Sequence, residues 1–468
     1  MYLYKQAEIK TKLLPHQQRV VDRIKSQQGL VVAHGLGSGK TLAAIASADA
    51  YGENNLALVP AALQENFNKE IQQHHRGPSS VEVASAQTAV LRGQPTQRDL
   101  LILDEAHRAR ETSTQLYKYI KKFPAKKKML LTASPVYNSP ADIAPLVNLV
   151  SGNRTLPTGR DFTSKYIQKA DRGTIMTFLL GKQHPHLKNT SSLKKITDQW
   201  VDYHPSQGKD FPDRVDEVVY TPMSEQQTLL YRQAEGKIPQ AVRSRMAAGL
   251  PPNKRDLASI NAFQSQTRQI SDSLDRYGVN NVPTPKIQRA VGDVLQELKH
   301  NKKHRAVVYS NFRSTLKDYA SLLDKEKVPY SVFTGGMKNE ERKNAVDRYN
   351  SGKSKVFLVS SAGGEGLDLK GTRQLQVLEP HWNDEKLNQV IGRAIRRGSH
   401  AALPAKDRNV IVRRYLTHPQ QNVFQRILKK RPDSIEEYLY GMSKDKDMLN
   451  QEFIELLQGK ANAKTKSI

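Results

Sequence analysis

Short, uninterrupted apolar runs recur along this chain, and each is followed by residues spaced for a helix. Leu30-Val31-Val32-Ala33 runs into a glycine-rich turn and then into Leu42-Ala43-Ala44-Ile45. Leu56-Ala57-Leu58-Val59 is ended by Pro60, and residues 61–71 then place Leu63, Phe67 and Ile71 on one helical face. Leu100-Leu101-Ile102-Leu103 ends in two carboxylates, and Met129-Leu130-Leu131 ends in Thr132. Ahead of them, Pro15 opens a helix whose stripe is Val20, Val21 and Ile24. Runs apolar on both faces predict strands of a parallel sheet covered by helices on each side. Residues 1–150 therefore read as one α/β lobe.

From 151 to 285 the pattern is irregular, with Gly152, Gly159, Gly173 and Gly181 interrupting any long periodicity. Residues 215–220 resemble a strand, Ser224 resembles a helix start, and 232–276 is polar and helix-rich. This stretch is expected to be a mostly helical insertion belonging to the first lobe. After Pro283 and Pro285 regularity returns. A helix over 286–299 precedes strands at 306–310, 330–333 and 355–360, with helices between them. Residues 286–432 thus predict a second doubly wound lobe, and 433–468 C-terminal helices ending in a basic tail.

Charge changes the picture next. Lysine plus arginine number 73 against 46 acidic residues, a formal charge of +27. An excess of that size points to a polyanionic partner, and nucleic acid is the expected one. There is no cysteine, which excludes disulfides, thiol catalysis and cysteine-ligated zinc. The first residues carry no signal-peptide core, and no apolar run approaches the ~20 residues needed to span a bilayer. The expectation is a soluble intracellular protein of the cytoplasm, or of the host cytoplasm if the chain is viral or from a phage. His74-His75 and His184-Pro185-His186 read as surface histidines rather than metal ligands. Residues 118–128, rich in lysine, read as a basic surface segment, either touching nucleic acid or simply solvated.

The chemistry is concentrated at the ends of the apolar runs. Gly35-Leu36-Gly37-Ser38-Gly39-Lys40-Thr41 joins a strand to a helix, so its backbone N–H groups and the helix dipole suit phosphate. Lys40 is placed to reach the β- and γ-phosphates of ATP, and the Thr41 hydroxyl to hold Mg2+. The strict pattern asks for glycine at position 34, where this chain has His34. Asp104 is expected to hold Mg2+ through water, and Glu105 to polarise the attacking water. Gln17 can both donate and accept, which matches the adenine edge. Thr132 and Ser134 are candidates to bond to the acidic motif and sense the γ-phosphate. In the second lobe, Arg393 and Arg396 share a helical face after Gln389 and suit the charge of a phosphoryl-transfer transition state.

Taken together, these stretches resemble the superfamily-two helicase-like ATPases, and within them the Swi/Snf-type translocases. Leu14-Pro15-His16-Gln17, Gly37-Ser38-Gly39-Lys40-Thr41, Asp104-Glu105-Ala106-His107 and Leu131-Thr132-Ala133-Ser134-Pro135 match its first-lobe motifs. Ala362-Gly363-Gly364-Glu365-Gly366-Leu367-Asp368-Leu369 and Glu379-Pro380-His381-Trp382-Asn383 are similar to its second-lobe signatures. The segment from Arg393 to His400 resembles a viral branch, the poxvirus nucleoside triphosphatases. The resemblance implies two RecA-like lobes, ATP with Mg2+ as cofactors, and Gly366 and Asp368 among the nucleotide-binding residues beside Gln17 and residues 37–41. It also implies movement along double-stranded DNA, with possible protein partners in a transcription, replication or recombination complex. Two other classes share these residues. A strand-separating DNA or RNA helicase has the same catalytic motifs, and a non-catalytic subunit would use ATP only as a switch.

Overall fold

The computed structural model describes residues 9–35, 37–75, 79–168, 184–205, 211–240, 242, 257–279, 282–360, 367–379, 385–395, 398–420 and 434–460. The chain divides into two compact units, Met1–Gln207 with Asp445–Ile468, and Gly208–Lys444.

In the first unit the strands are β1 (Gly29–His34), β2 (Asn55–Val59), β3 (Val81–Ser85), β4 (Arg98–Leu103), β5 (Ala125–Thr132), the short antiparallel pair β6 (Ile167–Gln168) and β7 (His186–Leu187), and β8 (Val201–His204). All but the short pair form a six-stranded sheet in the order β3-β2-β4-β5-β1-β8. Every pairing in it is parallel. Side chains alternate across a strand, so β1 feeds both faces of the sheet. Val31 and Ala33 join Leu58, Leu103, Ile143 and Phe162 on one face, and Leu30 and Val32 join Ile24, Ile45, Phe67 and Ile71 on the other. Burial on both faces is why β1 reads as an unbroken apolar run.

The second unit repeats the plan with β9 (Asp213–Pro222), β10 (Ala306–Ser310), β11 (Tyr330–Phe333), β12 (Val356–Ser360), β13 (Gln374–Val377) and β14 (Asn409–His418). Their order is β11-β12-β10-β13-β14-β9, again all parallel. Val307, Tyr309, Phe357 and Val359 pack on one face, and Ala306, Val308, Val356 and Leu358 on the other. Both lobes expected from the sequence are therefore present as doubly wound parallel sheets.

The expected boundary at residue 285 needs correction. Strand β9 pairs in register with the whole of β14, from Asp213 beside Asn409 to Pro222 beside His418. Residues 208–285 accordingly belong to the second unit, and only 151–207 stay with the first. Helix Ile435–Leu457 gives Ile435 and Leu439 to a cluster with Tyr231, Ile270 and Leu274 of the second unit. Farther along the same helix, Leu449, Phe453 and Leu456 enter the core of the first.

The lysine-rich stretch is also different from a free basic surface. Lys127 Nζ donates to the carbonyls of Ile24 and Lys25 at 2.6 and 2.8 Å, and Lys128 Nζ to those of Ile120 and Lys121 at 2.8 and 3.2 Å. Two ammonium groups thus serve carbonyls in the last turns of two helices. Lys126 pairs with Asp99 at 2.7 Å. The surface reading of the histidines fails at His75, which is buried against Asp49, while His74 bonds Thr11 and His184 bonds Asp445. No described helix is long and apolar enough to cross a membrane.

Candidate nucleotide site

Parallel α/β sheets present their ligand sites beyond the carboxyl ends of the strands. In the first unit β1, β4 and β5 end at His34, Leu103 and Thr132. The chain leaves β1 through the glycine-rich loop, in which Leu36 lies outside the described residues. Gly37 and Gly39 both hold φ at +73°, a conformation costly for residues bearing a Cβ. A Cβ on Gly39 would also stand 2.3 Å from Gln17 Nε2, so a side chain there would have to displace that amide from the loop.

Helix Lys40–Tyr51 starts directly after Gly39, and no side chain caps its first turn. Its leading N–H groups are the unclaimed donors a phosphate requires. Lys40 Nζ donates to the carbonyls of His34 and Gly35 at 2.9 and 3.1 Å. Burial lowers the Lys40 pKa from its ordinary value, against the opposing pull of Glu105 and Asp104.

Gln17 is buried and already committed. Its Oε1 accepts from Leu14 N at 2.8 Å, and its Nε2 donates to the carbonyls of Ser38 and Gly39 at 3.1 and 3.3 Å. The amide that was expected to read adenine grips the phosphate loop in this structure.

The two carboxylates stand just past β4. Asp104 Oδ1 accepts from Glu105 N at 2.9 Å. Glu105 has φ of +50°, a strained setting for a residue with a Cβ, of the sort retained at functional sites. Burial, reinforced by the charge of Glu105, pushes the Asp104 carboxyl up to about 6. Glu105 feels burial too, but His107 at 3.2 Å, with Lys40 and Arg108, outweighs it and holds the carboxyl below its ordinary range. The pair is thereby split, with Glu105 the stronger anion.

The loop after β5 reaches this motif by a route the sequence did not announce. Thr132 Oγ1 bonds within its own turn, to Ser134 N and Ser134 O, and not to the acidic motif. Tyr137 makes the link instead. Its ring stacks on His107 at 5.7 Å, and the Arg110 guanidinium lies 3.5 Å from its centre. Asp142 fixes that loop by accepting the N–H groups of Tyr137, Asn138 and Ser139. An aromatic residue in a turn is too common a feature for Tyr137 to have been singled out.

ATP with Mg2+ fits these residues. The uncapped helix start and Lys40 suit phosphate, while the Thr41 hydroxyl and the Asp104 carboxylate are hard oxygen donors. Mg2+ shared with a nucleotide keeps several waters and needs few protein ligands. Accordingly the fit does not depend on a cluster of three or more ligating side chains, and none gathers among the described residues.

The second-lobe candidates are partly outside the described residues. Gln389 and Arg393 lie on helix Glu385–Ala394, but their side chains are not among the described atoms, and Gly366 and Arg396 are outside altogether. Asp368 is exposed, and its carbonyl accepts from Asn350 Nδ2 at 2.8 Å.

Residues 88–275 match the SNF2-related domain, and residues 289–398 match the helicase conserved C-terminal domain. A putative ATP-dependent RNA helicase of Acanthamoeba polyphaga mimivirus is 32% identical over 446 residues, covering 92% of this chain and 93% of that protein. The chain belongs to the Swi/Snf-type helicase-like ATPases. A termination factor NPH-I homolog of African swine fever virus is 24% identical across 93% of this ATPase and 76% of its own length, which supports the viral branch. Among solved structures, the SWI2/SNF2 ATPase core of Sulfolobus solfataricus in complex with dsDNA aligns over 98% of this chain and 99% of its own. The identity there is 17% and the TM-score 0.37. The SNF2-related match runs past residue 207, where the N-terminal segment of the first unit of this helicase-like ATPase ends. Sequence continuity and packing therefore divide the chain at different points.

Proposed function

We propose that this ATPase translocates on double-stranded DNA, hydrolysing ATP at the first-unit site and gripping the duplex by its backbone. The observation that carries the proposal is the gathering of Lys40, Asp104 and Glu105 at the strand ends of one unit, in a chain of formal charge +27. Lys40 and the loop N–H groups hold the phosphates. Thr41 and Asp104 are the residues that would hold Mg2+, which supplies charge neutralisation on the phosphates when bound. Glu105, kept ionised beside His107, orients the attacking water and accepts its proton. Arg393 and Arg396 act on the transferring phosphoryl group, so turnover depends on both units closing on the nucleotide. Gln389, Gly366 and Asp368 complete the nucleotide contacts from the second unit.

The +27 charge suits backbone contacts that are indifferent to sequence, and membership of the Swi/Snf-type family favours the duplex as the track. A relative named as a termination factor favours transcription as the setting. The test compares ATP turnover with duplex DNA, single-stranded DNA and RNA, beside a strand-displacement assay. The proposal expects strongest stimulation by duplex DNA without strand separation. Stimulation by single strands or RNA alone, or efficient strand separation, would favour a helicase.

A further inference from the structure

The stem of the phosphate loop is held by residues to which no motif named above gives a role. His34, the last residue of β1, occupies the position where the strict loop pattern has glycine, and its side chain is fully buried. Its Nε2 lies 2.6 Å from Asp202 Oδ1, while its Nδ1 is buried with no hydrogen-bond partner among the described residues. A carboxylate can only accept, so Nε2 carries the proton. With no acceptor beside it, Nδ1 carries none, and the ring is neutral in a single tautomer.

Asp202 sits on β8, which runs beside β1 with Asp202 opposite Val32 and His204 opposite His34. Its carboxylate is almost fully buried and has further donors from helix Pro15–Ser26. Arg19 reaches both oxygens, Nε to Oδ2 and Nη2 to Oδ1, at 2.8 Å each, and Arg23 Nη1 stands at 3.2 Å. The anion is thus used by the residue that opens the loop and by the helix carrying His16 and Gln17.

Both neighbours touch the loop backbone. The His204 carbonyl accepts Gly35 N at 2.8 Å. The His204 ring stacks on His16 at 3.9 Å and 4°, and His16 Nε2 donates to the Ser38 carbonyl at 2.8 Å. The His34 carbonyl in turn receives the Lys40 ammonium. Rings, carboxylate and guanidinium form one support behind the loop.

We propose that Asp202 is a positioning residue for ATP, holding the stem of the phosphate loop through His34 and Arg19. The proposal rests on the reading of this loop as the ATP site. It also gives the departure at position 34 a purpose. Glycine there would satisfy the usual pattern yet release the backbone from its anchor, so His34→Gly should weaken nucleotide binding.

The test measures Mg-ADP affinity by calorimetry on the full chain, beside kcat, KM for ATP and thermal midpoint. His34→Gly, His34→Phe and Asp202→Asn should each weaken Mg-ADP binding about tenfold or more, the scale of a lost hydrogen bond to a charged group. KM for ATP should rise in step, while kcat at saturating ATP stays within about twofold, because uniform binding is what was lost. His34→Phe fills the core without a donor, so it reports on the hydrogen bond even where His34→Gly folds poorly. His34→Gln keeps an N–H donor and should recover most of the affinity. The double variant His34→Phe with Asp202→Asn should bind no worse than the weaker single variant, since both remove one contact. Wild-type affinity in His34→Phe and Asp202→Asn, or effects that add in full, would overturn the proposal. So would a loss confined to kcat or to thermal midpoint. A wild-type chain that binds no Mg-ADP overturns the reading of the site itself, and this inference with it.

Discussion

In the first unit, Asp104 and Glu105 follow β4 half-buried, with one carboxyl pushed up to about 6 and its neighbour held low. In the second unit, Glu379 follows β13 only 1% exposed, taking Ser310 Oγ at 2.5 Å and Asn311 N at 2.7 Å. Both carboxylate sites terminate strands of six-stranded parallel sheets. One set keeps oxygens available for chemistry, while the other is consumed in tying the ends of β10 and β13 together. On the proposed reading the same frame carries a reaction in one place and a structural clamp in the other, and the loops decide which.

That contrast can be broken first at Glu105. Glu105→Gln should lower ATP turnover by roughly a hundred- to ten-thousandfold, the range for a lost general base, with Mg-ADP affinity and unfolding midpoint nearly unchanged. Steady-state hydrolysis beside calorimetry checks it, and near-normal turnover would remove Glu105 from the mechanism.

The mirror experiment is Glu379→Ala. Truncation leaves the Ser310 hydroxyl and Asn311 N–H buried without their charged acceptor, which should cost about 2–4 kcal/mol of unfolding free energy. Mg-ADP affinity should not change. Denaturant unfolding and nucleotide titration together decide, and a stable variant with impaired nucleotide binding would mean that Glu379 is not a clamp.

How much of this was readable depended on the kind of signal. Strands β1, β4 and β12 are apolar on both faces, so Leu30-Val31-Val32, Leu100-Leu101-Ile102 and Val356-Phe357-Leu358 announced them. The phosphate loop and acidic pair followed from where those runs stop. Strand β8 is Val201-Asp202-Tyr203-His204, mixed in polarity because its buried carboxylate is met by Arg19, Arg23 and His34. Those partners lie far away in sequence, so nothing local marked Asp202. Residues 215–220 did read as a strand, but the partner strand β14 lies across most of the second unit in sequence, and the lobe assignment failed there. Lys127 and Lys128 looked solvent-facing because a lysine serving helix carbonyls has the same local pattern as a free one.

A gentler test of the split carboxylates uses pH. If Asp104 holds Mg2+ as proposed it must be ionised to do so, and burial raises its pKa to about 6. The Mg2+ concentration for half-maximal ATP binding should therefore be flat above pH ~7 and climb about tenfold per unit well below 6, as protons compete for the ligand. Asp104→Asn should abolish that pH dependence. A constant Mg2+ requirement from pH 5 to 8 would contradict the assignment.

The smallest expected effect concerns the support behind the loop. Burial, with His16, His34 and Arg19 nearby and only Asp202 opposing, lowers His204 to about 4 from its ordinary 6.5. Burial lowers His34 as well, against its bond to Asp202. Both rings stay neutral in the folded chain while their unfolded counterparts take protons, so the unfolded state binds more protons between about pH 6.5 and 4. Stability should be fully present above 6.5 and decline as pH falls through that window. His204→Asn should flatten the decline slightly, as read from unfolding midpoints at pH 7, 6 and 5. Stability rising on acidification in that range would contradict the neutral-ring arrangement.

The central proposal is a division of labour, in which the first unit would hold nucleotide and Arg393 and Arg396 would complete the transition state. It is tested most directly by single-turnover and steady-state hydrolysis in Arg393→Ala and Arg396→Ala, beside Mg-ADP and duplex-DNA affinities. Each variant should lose on the order of a hundredfold in kcat at saturating ATP, together with stimulation by DNA, while both affinities remain within a few-fold of wild type. Turnover that survives, or that falls only in proportion to lost ATP or DNA binding, would contradict the account.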